Sequence, residues 1–219
     1  MKTVVKCIII GVAIIAIGAG ILIATLAANG WSVKAKYTMQ TYTAEHEIHE
    51  LEIDVGAFTV KTEFFDGDKI EIEYPVSNRH KTSVKEHDGK LKFSTETKWW
   101  HMISIGKNNA PETIIKLPKD RVLNLDIDLG AGTVNLASGV YGQVKIDIGA
   151  GIVKAESITC NNLDCDVSAG TVKFESVTCN SLKSDVSAGK LEVNSLNCPD
   201  IKADVSAGKL SINVDGIKA

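Results

Sequence analysis

Apolar and polar positions alternate through the C-terminal half of the chain in short runs that repeat every 19 residues. Written from Leu125 in blocks of that length, the chain gives five blocks without an insertion, from LDIDLGAGTVNLASGVYGQ to IKADVSAGKLSINVDGIKA. Every second residue of a block is apolar up to a Gly-containing turn, after which the alternation resumes. Period-two alternation predicts strands with one buried face. Its recurrence at a fixed short period predicts an all-β, single-domain β-solenoid with 19-residue rungs.

The repeat phase predicts which side chains stack on one another from rung to rung. Two inward apolar columns are Leu125, Val144, Leu163, Leu182 and Ile201, and Leu129, Ile148, Val167, Val186 and Val205. An alanine recurs in each turn, at Ala131, Ala150, Ala169, Ala188 and Ala207. We interpret it as a tight corner without room for a larger side chain. Cys160, Cys179 and Cys198 form a further column, with Cys165 at an inward position, and are expected to fill the coil as small apolar groups rather than as disulfides.

The segment before the repeats, residues 45–121, carries alternating strands of irregular length. LEIDVGAFTVKTE, from Leu51 to Glu63, echoes the repeat and places Asp54 at the phase of the later aspartates. Gly67 and Gly89 mark turns between further strands. We therefore predict that residues 45–121 start and cap the solenoid formed by residues 122–219. The last rung has no evident cap. Its edge is available for self-association or for a partner; the alternative is that it is simply short and frayed.

An uncharged run of 22 residues, from Cys7 to Ala28, precedes the strands. A helix of this length spans a ~30 Å hydrocarbon core. We predict a retained transmembrane anchor over residues 1–30 and a juxtamembrane linker over residues 31–44; the alternative is a cleaved signal segment. Lys2 and Lys6 before the run favour a cytoplasmic N-terminus and an extracytoplasmic C-terminal domain, in a single-pass protein of the cell membrane.

Composition and charge narrow the classes of function. Hydrophobic residues make up 44% of the chain and charged residues 23%, as in folded proteins. The formal net charge of -3 gives no electrostatic footprint for nucleic acid. The G-A-G turn of IDIGAGIVKAES has Lys154 where a dinucleotide-binding turn needs its third glycine. HEIHE, from His46 to Glu50, has the wrong spacing for a zinc protease. We predict no enzyme and no cofactor.

One aspartate per rung forms the main polar candidate. Asp128, Asp147, Asp166, Asp185 and Asp204 share one phase of the repeat. Carboxylates stacked about 4.8 Å apart repel one another, by ~1 kcal/mol per neighbour in a water-like dielectric. The favoured interpretation is that each accepts hydrogen bonds from backbone N–H groups of the following turn. The alternative is a ladder of divalent-cation sites.

A dense aromatic cluster is the candidate partner contact. It consists of Trp99, Trp100, His101 and Met102, and it precedes the polar stretch Gly106 to Asn109. Tryptophan is enriched at binding hot spots, so the cluster is a candidate contact for a protein, a glycan or the bilayer surface. The alternative is a cap over the first rung.

TIIKLPKD leading into LNLDIDLGAGTVNL, followed by DVSAG-type repeats, resembles the bacterial putative-adhesin or toastrack family of β-strand-repeat domains. The resemblance covers about residues 40–219. It implies a β-solenoid exposed beyond the membrane, either beside envelope-stress signalling systems or in adhesins, and it carries no catalytic residues over. We therefore expect a non-catalytic module that contacts an envelope protein in stress sensing or envelope organisation. The alternative is an adhesin or a binder of wall glycan.

Overall fold

Every described element of the protein is a β-strand. The computed structural model describes residues 37–77, 80–97 and 111–215, and their strands form one continuous sheet. The strands are β1 Thr38–Thr43, β2 Glu50–Val55, β3 Thr59–Phe65, β4 Glu71–Val76, β5 His80–His87, β6 Lys90–Thr97, β7 Thr113–Pro118, β8 Asn124–Leu129, β9 Thr133–Leu136, β10 Gly139–Val140, β11 Gln143–Ile148, β12 Ile152–Val167, β13 Thr171–Val186, β14 Lys190–Asn197, β15 Asp200–Val205 and β16 Lys209–Val214. The predicted all-β solenoid is confirmed.

The predicted anchor over residues 1–30 lies outside the described residues. Within the described ranges, no helix has the length and apolar character needed to cross a membrane. The anchor, its orientation and the extracytoplasmic location of the strands therefore stay predictions from the sequence.

In the C-terminal half, each rung stacks in parallel on the next with the register that the repeat predicts. One face carries β8, β11, the second half of β12, the second half of β13, and β15, so that Leu125 lies opposite Val144 and Val144 opposite Leu163. A second face carries β9, the first halves of β12 and β13, β14 and β16. Strands β12 and β13 are each 16 residues long and continue from the second face to the first without a break, and β10 pairs with the middle of β12.

Both predicted apolar columns are buried through the inner rungs. Their members lie inside the coil from Leu125 to Leu182 and from Leu129 to Val186, and Cys165 is also buried. The core is thin, since one side chain per column and rung fills it, and Phe174 is a large fully buried member. The last rung differs, because Ile201 and Val205 remain 39% and 42% exposed.

The alanine of each turn does not make the tight corner that the sequence predicted. Ala131, Ala150 and Ala169 are exposed, so the interpretation of a crowded alanine column is wrong. The crowding falls on the glycine that follows. A Cβ on Gly170 would lie 2.3 Å from Ile148 Cγ2 and 2.5 Å from the Gly151 carbonyl oxygen. The turn points the alanine outward and the glycine inward, where the preceding rung leaves no space.

The echo of the repeat at Leu51–Glu63 forms a rung of its own. Strand β2 pairs in parallel with β8, so that Leu51 lies opposite Leu125 and Asp54 opposite Asp128, while β3 pairs with β9. On the other side of this rung, β6 pairs with β2 and β7 pairs with β3, also in parallel. After the outer strand β1, the chain therefore forms an inner rung, adds strands on its outer side, and then returns to continue the stack from β8.

Antiparallel strands follow at the outer side of β6 and β7. Strand β5 pairs with β6, β4 pairs with β7, and β1 pairs with β4. Ion pairs hold β6 to β2: Lys90 Nζ lies 2.7 Å from Glu52 Oε2, and Lys92 Nζ lies 3.0 Å from Asp54 Oδ2. Partial burial alone would raise the pKa of Glu52, but its hydrogen bonds with both lysines hold that pKa below its ordinary value.

Candidate functional site

The predicted aromatic contact, Trp99, Trp100, His101 and Met102, lies outside the described residues. Strand β6 ends at Thr97 and β7 begins at Thr113, on either side of that stretch. Its role in binding a partner and its role as a cap both stay predictions.

The aspartate column forms a continuous ladder on an exposed face. Each aspartate lies directly opposite the next in the paired strands, and Asp54 extends the ladder at its N-terminal end. Asp54 is neutralised by Lys92, whereas the members from Asp128 onward point to solvent. The pKa of Asp128 is raised by partial burial and by the charges of Asp54, Asp147 and Asp126. The carboxylates of the ladder therefore repel one another, and Lys92 neutralises the first of them, Asp54.

The turn after each aspartate does not supply the backbone hydrogen bonds that the sequence analysis favoured. The N–H groups of Gly130 and Ala131 donate to the carbonyl oxygens of Val55 and Gly56 in the preceding rung, at 2.9 and 2.7 Å. Ser168 and Ala169 donate in the same way to the rung before them. The N–H groups of the turn are therefore used in stacking the rungs and do not donate to the aspartate side chains.

At Asp128 the charge of Lys145 opposes the rise in pKa, while the neighbouring outward column carries ion pairs of its own. Lys145 Nζ lies 3.6 Å from Asp126 Oδ1, and Lys183 Nζ lies 3.4 Å from Asp164 Oδ2. As for a cation ladder, the described residues contain no group of three or more His, Cys, Asp or Glu side chains that could hold a metal ion. The aspartate ladder is thus an acidic stripe flanked by alternating charges.

The cysteine column lies inside the coil as free thiols. Cys160 lies opposite Cys179, and both are buried together with Cys198 and Cys165. Burial raises the pKa of Cys165, and it raises the pKa of Cys198 to about 11 with a further contribution from its hydrogen bond to Cys179. The hydrogen bond with Cys179 lowers the pKa of Cys160 instead. Cys165 and Cys198 are therefore poor nucleophiles, and all four side chains pack as small apolar groups.

The HEIHE segment links the N-terminal strands to one another. Ile48 is buried in the core, and Glu50 pairs with Lys90 at 2.9 Å. Glu86 accepts hydrogen bonds from the Tyr42 hydroxyl at 2.9 Å and from the Glu45 N–H at 2.7 Å, and its Oε2 lies 2.8 Å from His46 Nδ1. The segment is part of the scaffold rather than a metal site.

A shallow groove of about 460 Å³ lies on the outer surface where β3, β9, β12 and β13 meet. Leu136, Ala137 and Ala155 contribute apolar lining. The polar lining comes from Thr62, Asn135 and Ser138, the lysines Lys61, Lys154 and Lys173, and the acidic Glu156 and Glu175. Lys61 and Lys173 each pair with a glutamate of their own strand, while Lys154 has no ion pair among the described residues. The sequence analysis missed this site; the signal was the shared phase of Lys61, Asn135, Lys154 and Lys173.

The last rung exposes two side chains whose columns are buried in the rungs before it. Ile201 and Val205 continue the columns of Leu182 and Val186, whose side chains are 1% and 0% exposed. Among the described residues, β15 pairs only with β13, and β16 pairs only with β14. A sheet edge with inward apolar side chains is therefore left without a covering strand in the described part of the chain.

Comparison with known families places this arrangement in one of them. Residues 48–219 match the Toastrack DUF4097 family, and the chain belongs to that family. The predicted membership is confirmed. None of the curated proteins matches the chain.

Several solved structures are similar in fold. A putative adhesin from Parabacteroides merdae ATCC 43184 is 11% identical with a TM-score of 0.46, over 82% of this chain and 81% of that one. A putative adhesin from Bacteroides fragilis NCTC 9343 is 13% identical with a TM-score of 0.39, over 81% and 97%. A putative lipid binding protein from Parabacteroides distasonis ATCC 8503 is 16% identical with a TM-score of 0.36, over 80% and 97%.

Proposed function

We propose that this chain is a non-catalytic, extracytoplasmic β-solenoid module, held to the membrane by its N-terminal apolar segment, that contacts an envelope protein through its last rung. The contact would serve envelope-stress sensing or envelope organisation. The observation that carries the proposal is the exposure of Ile201 and Val205 on an unpaired strand edge, when the same columns are buried one rung earlier.

Two physical terms favour a protein partner at this edge. Covering Ile201 and Val205 removes apolar surface from water, which stabilises a complex by roughly 25 cal/mol per Å². An added strand also pairs with the free backbone N–H and C=O groups of β15, which is the mechanism of β-strand addition. The in-register stack behind β15 keeps that edge rigid, so that little ordering is needed on binding.

Photo-crosslinking in native membranes tests this proposal. A photoreactive side chain in place of Lys202 stands at the edge, and one in place of Lys145 stands in the same outward column three rungs away. The Lys145 side chain is 62% exposed, so that its probe is equally free to react. We expect a discrete protein adduct from position 202 and none from position 145. No adduct from position 202, or equal adducts from both positions, would contradict the proposal.

A second candidate function, binding of wall glycan in an adhesin, is favoured by the groove beside Lys154. Asn135 and Ser138 offer amide and hydroxyl groups, and the unpaired Lys154 offers a cation for an anionic polymer. Retention of the full chain on purified wall material, in detergent, is the test. Lys154→Ala should reduce retention severalfold, while Lys145→Ala, which removes an exposed lysine outside the groove, should not. Equal retention of both variants contradicts this candidate.

A further inference from the structure

We infer that the partner at the last rung is a second copy of this chain, with β15 of each copy paired in antiparallel about a two-fold axis at Ala203. The inference rests on the proposed function, because it names the partner of the same edge. It is drawn from the direction of the backbone groups of β15 and from the order of its side chains.

The backbone of β15 presents alternate residues to the open edge. In every preceding rung, the carbonyl at the Val205 position accepts a hydrogen bond from the next rung: Val55, Leu129, Ile148, Val167 and Val186 do so at 2.9–3.0 Å. The Val205 carbonyl therefore points out of the stack. Because N–H and C=O of one strand residue point the same way and alternate along the strand, Ala203 and Ile201 face the open edge as well.

An antiparallel pair centred on Ala203 satisfies these groups in both copies. Ala203 would exchange two backbone hydrogen bonds with Ala203 of the second copy, and Ile201 would exchange two with Val205. Inward side chains then meet inward side chains, so that Ile201 of each copy covers Val205 of the other. The two exposed ends of the apolar columns become one continuous core.

The outward side chains of β15 complement each other in the same register. Lys202 of one copy lies opposite Asp204 of the second copy, and the symmetric pair repeats the contact. Within one chain the situation is reversed, since Lys202 lies opposite Lys183 and Asp204 opposite Asp185. Head-to-head pairing thus replaces like-charge neighbours at the end of the stack by opposite-charge neighbours.

The neighbouring symmetric registers of the strand pair do not place opposite charges opposite one another. Sliding the second strand by two residues keeps inward side chains matched but centres the pair on Asp204 or on Lys202. Each of these registers places two like charges directly opposite one another, which is destabilising. The charge order of the strand therefore selects the register centred on Ala203.

Charge reversal on the full chain in detergent tests the inference, with the monomer–dimer equilibrium measured by sedimentation. We expect the unmodified chain to form a dimer that does not grow further. Lys202→Asp and Asp204→Lys should each weaken it about tenfold, because two attractive contacts become repulsive. An equimolar mixture of the two variants should restore dimerisation, since both acidic side chains of the first variant then lie opposite lysines of the second.

Matched changes separate this effect from folding and from association of the apolar segment. Lys145→Asp and Asp147→Lys alter the same two columns three rungs away and should leave the dimer unchanged. At concentrations where the chain is monomeric, Lys202→Asp and Asp204→Lys should not lower the melting temperature, since each places opposite charges beside Lys183 or Asp185.

Four results would overturn the inference: a monomer at all concentrations, open-ended growth, a dimer indifferent to the edge reversals, or no rescue on mixing. A monomeric chain that still crosslinks from position 202 to a different protein would refute the second copy as partner and retain the proposed function. Absence of both would refute both.

Discussion

The two halves of this solenoid reach the same stacked geometry by different routes. From β8 to β16, every strand pairs with the segment one repeat away, and the aspartate of the ladder recurs at one phase of every rung. Before β8, the rung of β2 and β3 is enclosed between β6–β7 and β8–β9, which lie far from it in the chain. Parallel pairing between successive repeats stabilises the regular half, whereas specific ion pairs and capping contacts stabilise the N-terminal half.

This difference assigns different weak points to the two halves. In the regular half, a change in one rung meets backbone above and below, and the structure has little freedom to relax. In the N-terminal half, the nearest contacts of a Cβ on Gly67 or Gly89 would be side-chain ring atoms, of Phe65 and His49, whereas rung turns such as Gly170 also meet backbone within 3 Å. Truncating a buried apolar side chain, or adding a methyl group at a turn glycine, should therefore cost more stability in the regular half. Removing a polar contact should cost more stability in the N-terminal half.

Phe174→Ala should show the largest effect. The ring is fully buried between rungs whose backbones are fixed by hydrogen bonds, so that the cavity cannot collapse. We expect the free energy of unfolding to fall by about 4 kcal/mol, measured by denaturant titration. Phe64→Ala, at a half-buried ring in the N-terminal half, should cost less than half as much. Equal losses would contradict the proposed difference in relaxation.

Glycine substitutions separate the halves more directly. Gly170→Ala places a Cβ against the Gly151 backbone and should lower the free energy of unfolding by about 3 kcal/mol. Gly67→Ala meets only the Phe65 ring, which can rotate away, and should cost less than about 1 kcal/mol. Ala169→Ser, at the exposed neighbour of Gly170, is the control and should be close to neutral. A tolerated Gly170→Ala would refute the close approach of rungs.

Glu86→Gln tests the polar contacts of the N-terminal half. Partial burial alone would raise the Glu86 pKa, but hydrogen bonds from His46, Tyr42 and the Glu45 N–H hold it below the ordinary value of 4.5. The lowered pKa means that this stabilisation is present above pH 4.5 and is lost as pH falls through the folded-state pKa. The variant should lose about 2 kcal/mol at neutral pH.

The pH dependence supplies the control for this prediction. Between neutral pH and pH 4, the unmodified chain should lose more stability than Glu86→Gln, because the variant has no carboxylate to protonate at this position. Parallel pH profiles for the two proteins would show that the Glu86 contacts do not stabilise the N-terminal strands.

Two buried hydroxyls, one in each half, should give the smallest effects. Thr113 Oγ1 and Ser184 Oγ are buried and have no hydrogen-bond partner among the described residues. Thr113→Val and Ser184→Ala should each raise the free energy of unfolding by about 1 kcal/mol. A loss of stability in either variant would show that the hydroxyl has a partner, such as a buried water.

The repeat predicts much of the regular half from sequence, because each residue there pairs with the residue one repeat of 19 positions away. The inward columns, the aspartate ladder and the rung at Leu51 follow from it. The enclosure of β2 between β6 and β8 does not follow, since ladders between distant segments have no fixed period. The alternation also placed the turn alanine inside the coil, which is wrong because the turn changes which residue faces inward. Nor does the alternation show that the backbone N–H groups after each aspartate donate to the preceding rung.

The open edge, with self-association or another partner as alternatives, was predicted from sequence. The choice between these alternatives was not, because it depends on which backbone groups of β15 point out of the stack. Self-pairing of β15 is tested most directly by disulfide trapping in native membranes, with Ala203→Cys in a Cys7→Ser background, since the other native thiols are buried. In the pair centred on Ala203, residue 203 of one copy lies opposite residue 203 of the other, within the distance that a disulfide spans. Residue 204 lies opposite residue 202 of the other copy, so the two residues 204 are too far apart to be bridged. We expect a covalent dimer from Ala203→Cys and none from Asp204→Cys. No dimer from position 203, or equal trapping at both positions, would contradict it.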